Sequence, residues 1–308
     1  MSFTYPAPPA TVSGGTIQEI HQFLRTPTLL SRRLRTLLEQ RYIADTLLTG
    51  RFEAVGGGLF YETGEPIVTN DSPEAVAPGA NYPKTTASGG ELASAKTTKW
   101  GQDIPVFDEA IARLRMNPVE RAFTKLVNQS VRFVDSAALS VIASKILQEY
   151  DVTTGPGAWA NGNAIVEGVM IAKARVTGLD EGFDPNAIVL KDEQWAKAVS
   201  RLNEAGLLPR ENGNPILTGV WPQALGLTWM SSNHTPTADP MLVDTTQLGG
   251  MADENLGGPG YTRAGGVGVE TKAIREEKTD GYLLRARRVT VPVVLEPKAG
   301  IIIKNTGL

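Results

Sequence analysis

Between Asn117 and Tyr150 apolar residues recur every three or four positions, at Val119, Phe123, Leu126, Val127, Val131, Val134, Ala138, Val141, Ile142 and Leu147. That period places them on one stripe of a helix. Arg121, Lys125, Asn128, Arg132, Asp135 and Lys145 fall on the opposite side. Asn117 predicts the N-cap, and Pro118 suits the first turn because its missing N–H would be unpaired there anyway. Glu120 stands at the capping-box spacing. At about 1.5 Å per residue such a helix is roughly 45–50 Å long, well beyond an ordinary globular helix. It needs a coiled-coil partner or a broad sheet to lie on. With one such helix visible, the sheet is the favoured reading.

The pattern on either side is different. Residues 1–15 are rich in Pro, Ala, Gly and Thr and predict an extended arm. Thr16 and Glu19 have capping-box spacing for a short helix. Leu29, Leu30, Leu34, Leu37, Leu38 and Ile43 mark a second helical region. Residues 50–103 predict no helix. Gly56-Gly57-Gly58, four prolines and Gly89-Gly90 punctuate them, with extended runs at 51–61 and 94–106. A stretch of roughly fifty residues is long for an internal loop. Phe60, Tyr61 and Trp100 argue that it packs on something. A lone hairpin is marginal in water, so its partner is expected in another subunit.

After the long helix, 164–177 predicts an amphipathic helix stopped by Gly178. Asp184-Pro185-Asn186 turns into a short buried strand, Ala187–Leu190, and a helix follows to Leu202. Further strand material brackets Leu225–Met230 and Met241–Asp244. Residues 249–268 hold many glycines and little apolar mass, which predicts a mobile loop. Val289, Val291, Val293 and Leu295 alternate with less apolar neighbours, the period of a long strand. Pro292 predicts an edge or bulge in it.

Composition narrows the function. The chain has 308 residues, 41 % of them apolar, enough for a large core. The absence of cysteine fits folding in a reducing cytoplasm. A net charge of −3 argues against a broad nucleic-acid-binding face. Arg25, Arg32, Arg33, Arg35 and Arg41 nevertheless cluster near the start. They form either a solvated helix face or a face turned toward a polyanion or acidic neighbour. No apolar run approaches the roughly 18 residues of a membrane span, and the N-terminus lacks a signal-peptide pattern.

Chemistry is sparse. The two histidines, His21 and His234, are far apart, and no Gly-x-Ser-x-Gly elbow or Walker loop exists. Ala264-Gly265-Gly266-Val267-Gly268 lacks the strand and helix context of a dinucleotide fingerprint. No zinc spacing occurs. A carboxylate pair for glycoside cleavage stays open as an alternative. The expectation is a non-enzyme with no cofactor and no metal.

The ordered set of segments resembles the major capsid protein of tailed phages, the Hong Kong 97-type coat fold. Residues 1–49 resemble that family's N-terminal arm, and 50–103 its extended loop. Asp103–Glu109 resembles the lead into the peripheral domain (104–183), and 117–150 the spine helix. Asp184–Leu190, Glu193-Gln194-Trp195, Leu225–Leu227 and Ala238–Asp244 resemble the axial domain, 184–270. Arg285–Leu295 and Gly300–Ile303 resemble strands that return to the peripheral domain, within 271–308. The likeness implies an α+β fold and a coat protein that assembles into hexamers and pentamers of an icosahedral head around double-stranded DNA. An encapsulin-type compartment shell is the alternative.

The resemblance also implies partners: a separate scaffolding protein, because the chain begins almost at the arm, a portal protein, and a decoration or cement protein. It places the shell in the virion, assembled in the host bacterial cytoplasm, with no membrane partner. Arg25, Arg32, Arg33, Arg35 and Arg41 would face the inside. Phe60, Tyr61, Tyr82 and Trp100 would contact the neighbouring subunit. One relative joins subunits by a lysine–asparagine bond. Lys84, Lys96, Lys99 and Asn305 have suitable positions, but no helper glutamate is assignable and the link is not expected here.

Overall fold

The computed structural model describes residues 16–38, 43–65, 69, 71, 74–86, 89–206, 223–264 and 268–308. Helix α1 (Ile17–Arg25) starts as expected. The Thr16 hydroxyl accepts the Glu19 N–H, and the Glu19 carboxylate accepts the Thr16 N–H at 2.7 Å. Helix α2 (Pro27–Leu38) and the short α3 (Ala44–Leu47) follow. Then come β1 (Gly50–Glu53), β2 (Gly58–Thr63), β3 (Glu91–Lys96), β4 (Thr98–Phe107), α4 (Asp108–Leu114) and α5 (Asn117–Lys145).

Helix α5 has 29 residues, a rod about 43 Å long. Its apolar stripe lies lengthwise on β4 and on β13 (Gly281–Val294), so the helix rests on a sheet. Three expectations about it fail. The helix ends at Lys145, and Gln148–Asp151 forms β5, which pairs in parallel with β14 (Gly300–Lys304). Tyr150 is therefore a buried strand residue, because pairing with β14 overrides the helical period. Asn117 is not the cap. Met116 occupies that place without a side-chain bond, since the chain turns directly out of α4 through Arg115 at φ 56°. Asp135 does not face solvent. It is buried, and its two oxygens accept the Ile43 and Ala44 N–H groups at 3.3 and 3.0 Å, which fastens the start of α3 to the middle of α5.

Two sheets carry the rest. The first runs β1, β10 (Gly249–Asp253), β13, β12 (Val269–Glu276), β11 (Thr262–Ala264), with β4 pairing along β13. The expected mobile loop at 249–268 thus contains β10, buried throughout between β1 and β13. Its glycines serve close packing. Gly50 and Gly250 stand opposite each other, and a Cβ on either would collide with the other's backbone. Pro292 sits in β13 beyond the last β4 partner, Thr98 opposite Thr290, where only β10 flanks the strand. The missing N–H is tolerated at such a half-paired position.

The second sheet runs β5, β14, β9 (Met241–Val243), β6 (Ala187–Leu190), β8 (Leu227–Ser231), β7 (Gln223–Ala224). Helices α6 (Gly162–Thr177) and α7 (Asp192–Glu204) accompany it in the chain. Sheet membership cuts across the expected divisions at 184–270 and 271–308. Strands β10 and β11 join the first sheet, and β14 joins the second, because their ladders are there. The turn expected at Glu211–Pro215 lies outside the described residues.

One buried charge cluster ties the first sheet to the N-terminal helices. Arg288, 2 % exposed, donates to Asp253 at 2.9 and 3.1 Å and to Asp45 at 3.0 and 3.1 Å. Burial opposes its charge, but the two carboxylates outweigh that and raise its pKa.

Two predictions follow from this packing. Phe123 and Val134 are buried, so replacing either with Ala should cost about 2–4 kcal/mol in denaturant unfolding; unchanged midpoints would contradict the packing. Burial pushes the Asp135 carboxyl up from 3.8 to about 6, against the opposing pull of the Ala44 and Ile43 N–H bonds. Between those values the folded state binds the extra proton, so this group destabilises the fold as pH rises through the window. The stability of the native chain relative to Asp135→Asn should therefore increase on going from pH 7 to pH 4, by about 3 kcal/mol at most. A pH-independent difference would contradict the assignment.

Candidate assembly surfaces

Strands β2 and β3 form a separate two-stranded hairpin, with Gly58 opposite Lys96 and Thr63 opposite Glu91. Its side chains alternate between two faces. Leu59, Tyr61 and Ala95 pack on a small cluster of Ala54, Ala252 and Val293 in the same subunit. Phe60 and Leu92 leave the other face, 87 % and 83 % exposed. A single carboxylate clamps the base: Glu254 accepts the Gly57 N–H at 3.1 Å and the Thr97 hydroxyl at 2.8 Å. Farther out, Leu295 O accepts the Thr63 hydroxyl at 2.6 Å and the Gly64 N–H at 3.0 Å. The hairpin is thus fixed at its root.

The four aromatic residues expected on the loop divide into pairs. Phe60 and Tyr82 are exposed. Tyr61 and Trp100 are partly buried in their own subunit. Trp100 belongs to β4, opposite Arg288, and stacks on Phe133 of α5 at 5.5 Å between ring centroids and 18° between planes. The expectation that everything to residue 100 stands outside the monomer core is corrected by this ladder, which begins at Thr98.

The arginine cluster does not form one contact. Arg25 is exposed at the end of α1, on a depression shared with His21, Asp108, Arg275 and Tyr282. Arg32 and Arg33 are exposed on α2, and Arg33 reaches Glu120 at 3.7 Å. Arg35 lies within the α2 span, but its side chain is outside the described residues, as is Arg41 altogether.

Sequence reading missed a second basic surface. On the sheet face away from α5, Arg285 forms a bidentate pair with Asp103 at 2.6 and 2.7 Å, and its hydrogen bonds to Asp103 and Tyr261 raise its pKa. Arg287 pairs with Glu270 at 2.6 Å and lies 3.7 Å over the Tyr261 ring. The alternation of Arg285 and Arg287 with Leu284 and Ala286 was the available signal.

The histidines are separate. His21 Nδ1 lies 3.3 Å from the Tyr282 hydroxyl, and the His234 N–H donates to Ser232 at 3.1 Å. Among the described residues no cluster of His, Asp and Glu is arranged to hold a metal, and no helix is long and apolar enough to cross a membrane.

Known proteins give these surfaces a context. A crystal structure of a phage-related protein from Bordetella bronchiseptica superposes with a TM-score of 0.58 at 13% identity, covering 89% of this chain and 96% of that one. The capsid of cyanophage P-SCSP1u matches at 0.58 and 12% identity, covering 83% and 86%. The encapsulin of a holo-SrpI complex from Synechococcus elongatus matches at 0.53 and 13% identity, covering 88% and 87%. At such identities the likeness establishes the fold, the α+β Hong Kong 97-type coat fold. No curated protein sequence matches the chain. The family model for phage capsid protein matches residues 91–303. That span takes in β4, the long helix and both sheets, so the chain belongs to the phage capsid protein family and is a major capsid protein, a structural component of a virion shell.

Proposed function

We propose that copies of this chain assemble into hexamers and pentamers of an icosahedral phage head that encloses double-stranded DNA. The observation that carries this reading is the hairpin. Its inner face is anchored on its own subunit, while Phe60 and Leu92 stand almost bare on the outer one. Large side chains so exposed on a projecting element mark a contact with another molecule. In a shell of identical copies the neighbour is another copy, and many weak repeated contacts close the structure without covalent links.

In this reading residues 1–49 act as the arm and 50–97 as the loop that crosses a neighbour. The first sheet with α5 forms the peripheral domain and the second sheet the axial one. Arg25, Arg32, Arg33, Arg35 and Arg41 face the interior, where contact with DNA or a scaffold is electrostatic and independent of base sequence. The exposure of Arg25, Arg32 and Arg33 supports that role. A scaffolding protein, a portal protein and a decoration protein complete the particle, which forms in the bacterial cytoplasm. An encapsulin-type compartment is the second reading, supported by the encapsulin among the similar folds. The phage family match favours the head.

Deleting residues 62–92 and joining the ends by a short turn tests the assignment. The full chain should give closed shells in negative-stain images, filled with DNA when made in an infected cell. The deletion should give a soluble, cooperatively unfolding monomer and no shells. Closed shells from the deletion would contradict the proposal, and shells that hold an enzyme in place of DNA would favour the compartment.

A further inference from the structure

The register of the hairpin puts Phe60 opposite Ser94 and Leu92 opposite Glu62, so Phe60 and Leu92 are diagonal neighbours on one face. They make a compact apolar knob on an otherwise polar loop. The loop from Glu62 to Glu91 carries five carboxylates, Glu62, Glu65, Asp71, Glu74 and Glu91, against one lysine, Lys84. Knob and carboxylates together describe what a receptor must offer: an apolar hollow with a basic rim.

One such hollow exists on the same molecule. A groove of about 320 Å³ runs along β4 beside α5. Trp100 and Phe133 line it, stacked on each other, and Phe133 remains 45 % exposed. Lys99, Arg287 and Arg288 supply its charges, and no carboxylate lines it. Among the described residues β4 pairs only with β13, so its other edge is open to an incoming element. The hairpin does not fill the groove of its own subunit. Leu59 and Tyr61 hold it elsewhere, and Phe60 and Leu92 stay exposed.

We infer that Phe60 and Leu92 of one copy seat against the Trp100–Phe133 stack of a second copy, with the acidic loop lying along the basic rim at Lys99. Both members of the pair are on every chain but on different surfaces. The contact is therefore head-to-tail, and repeated around an axis it closes a ring. The inference rests on the shell reading and specifies which surfaces meet in it.

The chain contains no cysteine, so introduced thiols report proximity without background. Shells of the Phe60→Cys/Phe133→Cys variant, oxidised after assembly, should run as a ladder of linked chains on a non-reducing gel. Phe60→Cys paired with Met170→Cys, an exposed position on α6, should not. Shells that form but stay unlinked in the first variant overturn the docking and leave the shell reading standing. Failure of the unmodified chain to form closed particles overturns the shell reading and the docking with it. Alanine substitutions decide the same point without a new bond. Phe60→Ala and Phe133→Ala should each raise the concentration needed for assembly about tenfold, and the double variant no more than either alone. Effects that multiply in the double variant overturn the pairing.

Discussion

The fold depends on a buried guanidinium shared by two carboxylates. Arg288 joins Asp45, at the end of the N-terminal helices, to Asp253, on β10, while itself standing in β13. Segments more than two hundred residues apart in sequence thus meet at one point. The charges are stable there only as a set, because removing one partner of a buried ion pair leaves an uncompensated charge. Asp135 adds a second fastening from α5 to the start of α3. Between them these contacts fix where the chain enters β1, and therefore where the hairpin leaves the body.

From that fixed root the hairpin can serve assembly. A two-stranded hairpin buries little and is marginal alone. Here its inner face rests on Ala252 and Val293 and Glu254 clamps its base, yet Phe60 and Leu92 remain in water. The monomer is left incomplete on one surface and carries an empty apolar groove on another. Closed symmetry removes both exposures at once. Weak individual contacts suit a shell, since each copy can adjust its angle to a neighbour before the particle is complete.

Much of the fold was legible in the sequence because its period is strong. The stripe from Val119 to Ile142, the capping box at Thr16 and the buried run Ala187–Leu190 all carry local signals that packing then uses. The failures have a common cause. Tyr150 and Leu147 continue a helical pattern, but a distant strand, β14, claims the backbone. Gly249 and Gly250 resemble a loop until β1 comes close enough to need residues without a Cβ. Asp135 looks solvated until α3 delivers two N–H groups to it. Of the assembly surface, Phe60 and Tyr82 were readable as aromatic residues in a polar stretch. The Trp100–Phe133 stack was not, since it joins strand to helix across thirty-three positions.

Hydrogen exchange by mass spectrometry, comparing unassembled subunits with closed particles, tests the central claim most directly. Amides of 58–63 and 91–96 should exchange fast in the subunit and slowly in the particle, because the neighbour covers them only on assembly. Amides of 98–107 should be slow in both, held by the β13 ladder. Equal protection of 58–63 in the two states would place the hairpin in the monomer's own core and contradict the account.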